Sequence, residues 1–543
     1  MGEVFKNKQI KSPFGIFFQV PVFAVASLGI FKLVEIFLLS FTEYNIIEKP
    51  LFVGFENYLN ILKNEVVRQS FSNTVVMVLV VTLLLIFTAV LPALFTARLK
   101  LPFGLGVMAA FWLISLCTKF HNLLNVLFED SIYGIINSCL INYSIINEPI
   151  SFSQTFVKIT AIIIMWLYCL APVFSITYIA AKMKHGFLGT AVSVSLIPVL
   201  MYSGGGVLLG FSGYPSINYS ADWFYSIFQD YVNVRFEVGF AYAILILGFI
   251  MLICWCVTVC SVSLGFWAIF KNVKSNPLAF KAIGYITFAL SVILSAPILY
   301  FITAYFARAF MPLDELYDVP IPFLPEKPTL QNFSDLSELL SNTFGRYLLF
   351  LVNSLMAIPF NILPVCFFVA LPSGVGLGIF KTFKHQKLLL LCFIPILLIA
   401  DYTTFNLLDM TNTYSVYMIE FLSSFEFLIT VFLICLAVKL VFYNRKPRVS
   451  GIFLGIFFIL TSFYSMGVLR GLWYGSDSIN SEQLKTWVMV SASLSTGGIA
   501  RCGMTAANDL LTLLATIAVL IVPSILLITL YVLYRKNTKN LPK

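Results

Sequence analysis

The chain has 543 residues, of which 59% are hydrophobic and only 11% charged, and its mean hydropathy is +0.93. Soluble domains carry about 25% charged residues, so this composition argues against an ordinary soluble enzyme and predicts a protein with lipid as its solvent. The net charge of +9 does not indicate nucleic-acid binding, because the basic residues follow a membrane-sidedness pattern.

Twelve apolar segments of membrane-spanning length follow one another along the chain. A membrane helix needs about 20 mostly apolar residues, since only internally hydrogen-bonded backbone is stable in hydrocarbon. The six segments in the first half of the chain are 14–41, 71–97, 104–127, 156–180, 190–212 and 238–270. The six in the second half are 281–310, 345–378, 388–408, 415–443, 449–470 and 504–534.

The charges that separate these segments alternate in sign. Basic residues occupy one set of connections and carboxylates occupy the other, which is the pattern of the positive-inside rule. We therefore expect a multi-pass protein of the cell membrane with both termini in the cytoplasm. Representative cytoplasmic residues are Lys8, Lys100, Lys274, Lys384 and Lys536, and representative outer residues are Glu43, Glu129, Asp230, Asp314 and Glu482.

The two halves resemble each other. Residues 71–75 are similar to residues 351–355, and Leu91-Pro-Ala is similar to Leu371-Pro-Ser at the same spacing. Residues 54–59 resemble residues 330–334 at nearly that spacing. The prediction is an all-α membrane protein of about twelve helices in two six-helix halves, 1–275 and 276–543.

Motifs for soluble chemistry are missing from the sequence. It contains no GxxxxGK[ST] phosphate loop, and its ten cysteines show no zinc-ligand spacing. No Ser/His/Asp set or carboxylate pair can be assigned to one site. The first apolar run is too long for a cleavable signal peptide. We expect no enzyme activity, no cofactor, no metal and no nucleic-acid partner.

Polar residues inside the apolar segments are candidates for a substrate pathway, because ionisable groups at bilayer depth need a partner or a polar cavity. Each also has a simpler interpretation, as a snorkelling side chain or an interfacial residue. The pathway candidates are Lys119, Asn122, Asn125, Asp401, Asn406 and Glu426.

Several stretches of the first half resemble the first permease subunit of maltose and glycerol-phosphate ABC importers. They are Leu39–Ile46, Phe52–Leu62, Ser70–Val76, Tyr133–Asn137, Trp166 with Pro172, and Gly239–Ala243. The second half resembles the partner subunit of the same importers. Its similar stretches are Pro328–Leu336, Arg346–Leu355, Asn412–Tyr414, Met504–Ala507 and Tyr531–Arg535.

This resemblance implies a function. The chain looks like two separate permeases fused end to end, forming the membrane component of a carbohydrate-type ABC importer. Substrate would cross between the halves by alternating access. An extracytoplasmic solute-binding protein would deliver it, and a separate ABC ATPase subunit would drive the cycle within the lipid bilayer.

The sequence departs from the family at the loops that contact the ATPase. Family members carry a Glu-Ala-Ala…Gly loop that folds into a short coupling helix, and here both corresponding loops are short and basic. A coupling helix of four turns would span about 20 Å, which these loops cannot supply. The candidate coupling residues are Lys182, Lys184, His185, Gly186, Arg445, Lys446 and Pro447.

Two rival interpretations remain open at the level of sequence. The chain could be a permease-derived membrane scaffold or partner-binding subunit that is no longer coupled to ATP hydrolysis. It could also be a secondary transporter with Asp401 or Glu426 as a proton relay.

Overall fold

The computed structural model describes helices over most of the ranges it covers. Helix accounts for 78% of these residues and strand for 2%, which confirms the all-α class. The described residues are 15–43, 49–63, 65, 76, 80–116, 121–152, 157–182, 277–318, 322–344, 363–379, 431, 434, 501–511 and 513–514.

The chain enters the described region through a long apolar helix, α1 (Gly15–Leu39). A two-stranded antiparallel hairpin follows, in which β1 (Thr42–Glu43) pairs with β2 (Leu51–Phe52). The hairpin leads into a short amphipathic helix, α2 (Glu56–Lys63).

The remaining first-half elements begin with a π-helical segment. It is π1 (Ile86–Val90), and α3 (Leu91–Thr96) continues it without a break. The helices that follow are α4 (Leu101–Leu116), α5 (His121–Leu127), α6 (Ile135–Asn142) and α7 (Val157–Lys182).

The second half opens with the longest described helix, α8 (Pro277–Ala307), which ends in a 3₁₀ turn at Arg308–Phe310. The elements that follow are α9 (Leu313–Tyr317), α10 (Gln331–Phe344), α11 (Leu363–Val365), π2 (Cys366–Ala370) and α12 (Leu371–Ile379). Residues 502–511 are also helical.

The acidic, proline-rich stretch 311–343 is predicted from sequence to be an ordered loop without a domain of its own. It contains two helices, α9 and α10. Helix α10 is amphipathic, and its buried residues Asn332 and Leu336 lie four positions apart. This spacing places them on one helical face, so local packing explains a helix that polar composition alone did not predict.

The chain forms two compact units that do not follow chain order. Unit 1 consists of residues 1–33, 335–493 and 508–543, and unit 2 of residues 34–334 and 494–507. Most of the first predicted span therefore belongs to the unit that contains most of the second half, and α8 belongs to the unit that contains most of the first half. The predicted division of the sequence into halves at 275/276 is not tested by these units and stays a prediction.

The helical core of unit 2 consists of α3, α4, α7 and α8. Helix α4 packs against both α7 and α8, and α3 does the same. Aromatic rings fill these contacts: the centroids of Phe111 and Phe174 are 4.8 Å apart, and those of Phe103 and Phe288 are 5.4 Å apart. A β-carbon at Gly104 would overlap the buried ring of Tyr178, so this glycine permits the close approach of α4 to α7.

In unit 1, α12 makes similarly close contacts. A β-carbon at Gly374 would lie 2.5 Å from Cγ2 of Ile434, and one at Gly376 would lie 3.0 Å from Cγ of Gln19. Gln19 itself is fully buried. The glycines of α12 therefore allow α1 and the segment containing Ile434 to pack directly on its backbone.

One helix of membrane-spanning length occurs among the described residues. It covers Leu278–Phe310, with a mean hydropathy of 2.0 in its most apolar stretch. Shorter apolar helices occur at Val80–Thr96, Pro102–Ser115, Ile162–Ser175 and Phe368–Leu377. Of the twelve predicted spans, one is therefore seen as a helix of spanning length within the described ranges, and the other eleven stay predictions.

Candidate functional site

Most of the sequence-predicted site residues lie outside the described ranges. Asn122 and Asn125 lie on α5, and Lys182 is the last residue of α7. The remaining predicted pathway and coupling positions stay predictions. They are Lys119, Lys184, His185, Gly186, Asp401, Asn406, Glu426, Arg445, Lys446 and Pro447.

A buried hydroxyl joins α4 to the proline-containing helix α7. Ser115 Oγ donates to the carbonyl of Leu167 at 2.6 Å and accepts from the backbone N–H of Ala171 at 3.3 Å. Those two backbone groups are the partners of a regular i to i−4 helical bond. The serine hydroxyl bridges them one residue before Pro172, where proline already removes a donor.

Two tryptophan indole N–H groups form further hydrogen bonds that involve helix α7. Trp112 Nε1 on α4 donates to Ser175 Oγ at 3.0 Å, and Trp166 Nε1 on α7 donates to Thr88 Oγ1 at 2.8 Å. Thr88 lies in π1 and donates in turn to the carbonyl of Leu84. Together with Ser115, these contacts form a polar seam along α7, which we define as Thr88, Trp112, Ser115, Trp166 and Ser175.

The π-helical segments occur at matching places in the two halves. Segment π1 ends directly before Leu91-Pro92, and π2 ends directly before Leu371-Pro372. A proline ring clashes with the carbonyl four residues earlier in a regular helix, and a widened turn at that point relieves the clash. The sequence similarity at Leu-Pro thus corresponds to a shared backbone feature.

An asparagine holds the connection after the first helix of the first half. Asn57 on α2 is buried, and its Nδ2 donates to the carbonyls of Ser40 and Thr42, each at 3.0 Å. These carbonyls follow the end of α1 and have no helical partner. The next residue, Tyr58, packs its ring 5.5 Å from that of Phe41.

A second asparagine holds the corresponding connection of the second half. Asn332 on α10 is buried, and its Nδ2 donates to the carbonyls of Arg308, Ala309 and Met311 at 3.3, 3.1 and 2.7 Å. These carbonyls follow the end of α8. The next residue, Phe333, packs its ring 5.4 Å from that of Phe310, which repeats the arrangement of Tyr58 and Phe41.

A buried guanidinium lies beside Asn332. Arg308 donates through one nitrogen to the carbonyl of Tyr133 at 3.1 Å and through the other to Cys502 Sγ at 3.3 Å. Gly503 allows this packing, since a β-carbon there would lie 2.5 Å from Oδ1 of Asn332. Arg308 therefore joins three segments that are far apart in sequence.

A buried carboxylate organises the proline-rich stretch. Glu315 on α9 accepts hydrogen bonds from the backbone N–H groups of Glu326 and Lys327, at 3.1 and 2.8 Å. Charge-assisted bonds of this kind are stronger than neutral ones. The stretch between α9 and α10 is thus fixed to α9 by the Glu315 side chain.

Another asparagine, Asn137, fixes the connection that follows α5. Its Nδ2 donates to the carbonyls of Glu129, Ser131 and Ile150, and its Oδ1 accepts from the N–H of Ile150 at 2.9 Å. Asn137 ends the Tyr133–Asn137 stretch quoted for the family resemblance. Its contacts are all with backbone, so the described role is structural.

The chemistry of these arrangements is hydrogen bonding that holds helices and connections together, through neutral side chains in the polar seam and through the charged side chains of Arg308 and Glu315 elsewhere. The polar seam contains no titratable side chain with a proton to transfer near neutral pH, and within the described ranges no group of three or more His, Cys, Asp or Glu side chains could hold a metal ion. Sequence reasoning missed Ser115, Thr88, Arg308 and Asn332 as contact residues. Only Asn332 carried a signal, through its similarity to the Asn57 stretch.

Comparisons with known proteins returned no relative. No family model, no curated protein and no solved structure matches this chain.

Proposed function

We propose that this chain is the polytopic membrane permease of a carbohydrate-type ABC importer, with both permease halves in one polypeptide. Its membrane placement is supported by the surface of α8. Only 11% of the most apolar stretch of this helix is buried within the protein, and large apolar side chains such as Ile286, Leu290 and Ile293 are exposed. Such a surface is expected against hydrocarbon rather than water.

The observation that carries the two-halves assignment is the matched connection after α1 and after α8. Asn57 and Asn332 each donate to carbonyls just beyond the first helix of their half, and each precedes an aromatic residue packed on a phenylalanine. With the matched π-helical segments, this indicates an internal duplication. Transporters are frequently built from such repeats, with substrate sites at the repeat interface.

The predicted sidedness is supported by which helix ends meet. Arg308 contacts Tyr133 and Cys502, and all three are expected on the outer side. At the opposite end, the rings of Phe95 and Phe280 stack at 5.6 Å, and both are expected on the cytoplasmic side. A protein that crosses the bilayer repeatedly has to bring the same-side ends of its helices together in this way.

The transport activity itself rests on the family resemblance of the sequence. In this proposal, an extracytoplasmic solute-binding protein delivers a carbohydrate, which passes between the two sequence halves by alternating access. An ABC ATPase engages the cytoplasmic loops around Lys182–Gly186 and Arg445–Pro447. The pathway candidates Asp401, Asn406 and Glu426 are expected to face the route.

A second candidate function follows from the shortness of those two loops. A chain without a coupling helix could retain the permease fold as a membrane scaffold or partner-binding subunit that does not use ATP. The polar seam and the asparagine connections serve this function equally well, since they stabilise the helix arrangement and transfer no proton.

Co-purification and reconstitution distinguish the two candidates. The tagged chain is purified from its native membrane, and the proteins encoded beside its gene are tested for association. An importer retains an ATPase, and proteoliposomes containing the complex hydrolyse ATP faster when a binding protein and its sugar are added. If no ATPase associates and added neighbouring ATPase is not stimulated, the importer assignment is wrong and the scaffold function is favoured.

A further inference from the structure

The short helix α2 has three distinct faces. At about 100° of rotation per residue, Phe55, Leu59 and Leu62 fall within a sector of about 60°, and their side chains are 68%, 53% and 54% exposed. Asn57 and Ile61 lie on another face and are buried. The exposed polar residues Glu56, Asn60 and Lys63 occupy the third.

The exposed apolar face continues onto neighbouring elements. Leu51 and Phe52, which form strand β2 of the hairpin, are both exposed. Rings in edge contact connect the end of α1 to α2: the centroids of Phe37 and Phe41 are 5.1 Å apart, and those of Phe41 and Phe55 are 5.2 Å apart. Phe37 is itself exposed, so one apolar surface runs from the last turn of α1 to α2.

We infer that α2 and strand β2 form an interfacial anchor that lies in the outer leaflet of the bilayer. The anchor is defined as Leu51, Phe52, Phe55, Leu59 and Leu62. A helix with one apolar exposed sector and an adjacent polar one matches the requirement for lying in the plane of the membrane interface. Its buried face is fixed to the end of α1 through Asn57, which sets the depth and direction of the helix.

The size and charge of the anchor favour lipid over a protein partner. A stable protein interface uses roughly 20–30 residues on each side, whereas the anchor has five apolar residues. Glu56 and Lys63 on the polar face have opposite charges, so the attraction does not depend on anionic lipid. The anchor is therefore expected to enter a bilayer of phosphatidylcholine alone.

The inference rests on the membrane placement proposed above, and site-directed spin labelling can test both separately. Labels are attached to single cysteines in a chain whose ten native cysteines are replaced by alanine or serine, reconstituted in phosphatidylcholine vesicles. Collision with oxygen reports lipid, and collision with a water-soluble nickel complex reports water. Leu59→Cys and Leu62→Cys test the anchor, Asn60→Cys and Lys63→Cys are matched controls, and Ile286→Cys and Ile293→Cys on α8 report the membrane itself.

The expected result is an oxygen-to-nickel collision ratio several-fold higher at positions 59 and 62 than at 60 and 63, and high at 286 and 293. A high ratio on α8 with a low ratio at 59 and 62 overturns the anchor alone. A low ratio at all four apolar positions overturns the membrane placement as well.

If the cysteine-replaced protein does not fold, a second measurement uses the chain with its native cysteines. A genetically encoded photo-crosslinking residue is placed at position 59 or 60, with position 286 as the lipid reference. Lipid adducts at 59 but not at 60 support the anchor. A protein adduct at 59, such as one with the solute-binding protein, or no adduct at 59 while 286 gives lipid adducts, overturns it.

Discussion

The two connections that follow α1 and α8 solve the same problem with different surroundings. In the first half, the carbonyls beyond α1 are held by Asn57 and the chain turns through a β-hairpin. In the second half, the carbonyls beyond α8 are held by Asn332, and the chain turns through a 3₁₀ segment and α9. The amide donor is common to both, while the loop around it differs. A carbonyl group at a helix end needs a hydrogen-bond donor. This requirement is met in the same way in both connections, whereas the conformation of the loop is free to differ.

The connections also differ in what covers them. Asn332 lies beside the buried residues Arg308 and Cys502, whereas Asn57 lies beneath the exposed apolar face of α2. Both asparagine side chains are buried, with 5% of Asn57 and 9% of Asn332 exposed, so the two connections differ in their neighbouring residues and in the number of carbonyls held. The same substitution is expected to be more damaging in the second half than in the first.

The largest effect is expected from Asn332→Asp. This change removes the donor from three buried carbonyl oxygens and places a carboxylate against them, and a buried polar group left unsatisfied costs about 1–3 kcal/mol. Asn57→Asp, which faces two carbonyls instead of three, is expected to cost less. The measurement is the midpoint of thermal unfolding in detergent, with Asn60→Asp on the exposed face of α2 as the neutral control. Equal loss at positions 57 and 332 would remove the distinction between the two connections.

A smaller effect is expected where α12 differs from α3. Gly374 corresponds by spacing to Leu94, and the glycine accommodates Ile434. Gly374→Ala introduces overpacking that costs about 1–3 kcal/mol. Addition of Ile434→Ala to the variant is expected to restore part of the lost stability, measured by the same unfolding midpoint. A double variant no more stable than Gly374→Ala alone would show that Ile434 is not the obstacle.

The polar seam gives the next prediction. Thr88→Val removes the acceptor of the Trp166 indole, and bonds of this kind in membrane proteins are worth about 0.6 kcal/mol and at most about 1.7. Thr82→Val is the matched control, because Thr82 Oγ1 has no hydrogen-bond partner among the described residues. Thr88→Val is expected to lower the unfolding midpoint and Thr82→Val to leave it unchanged or raise it. The reverse order would argue against the Trp166 bond.

The smallest effect is expected at Tyr58, where the second half has Phe333. The Tyr58 hydroxyl lies 2.6 Å from that of Ser40, and Tyr58→Phe is expected to cost about 0.5 kcal/mol, the low end for a neutral hydrogen bond.

The pH dependence provides a separate test of Tyr58. Burial raises the pKa of Tyr58 above its usual value of 10.0, against the lowering effect of the Ser40 bond. The neutral phenol is therefore favoured in the folded state, so its contribution is present below pH 10 and is lost as the pH rises through the folded-state pKa. Stability above pH 10 should fall less in Tyr58→Phe than in the unaltered chain. An identical fall in both would show that Tyr58 does not titrate with unfolding.

Sequence alone predicted the helical class and the regions of internal similarity. Hydrophobicity is additive along the chain, so apolar segments such as 281–310 are visible without knowledge of packing. The repeated Leu-Pro and the Asn stretches were also visible, and the structure supplies their physical roles at Pro92, Pro372, Asn57 and Asn332.

The contacts of the polar seam and of Arg308 were not predictable in the same way. Ser115 bonds to residues more than fifty positions away, and Arg308 to a sulfur atom 194 positions away. No local sequence pattern selects such partners, because they depend on which helices pack together and on the axial offset between those helices. The amphipathic helix α10 was missed for the same reason, since its buried face is defined by the elements it packs against.

The assignment of residues 1–33 and 335–493 to one compact unit has a consequence for biosynthesis. Gln19 on the first helix is fully buried, and its side chain lies against Gly376. Ribosomes add about 5–20 residues per second, so this glutamine emerges tens of seconds before α12 is made. During that interval its amide needs a temporary hydrogen-bonding partner, because a buried amide left without one costs about 1–3 kcal/mol.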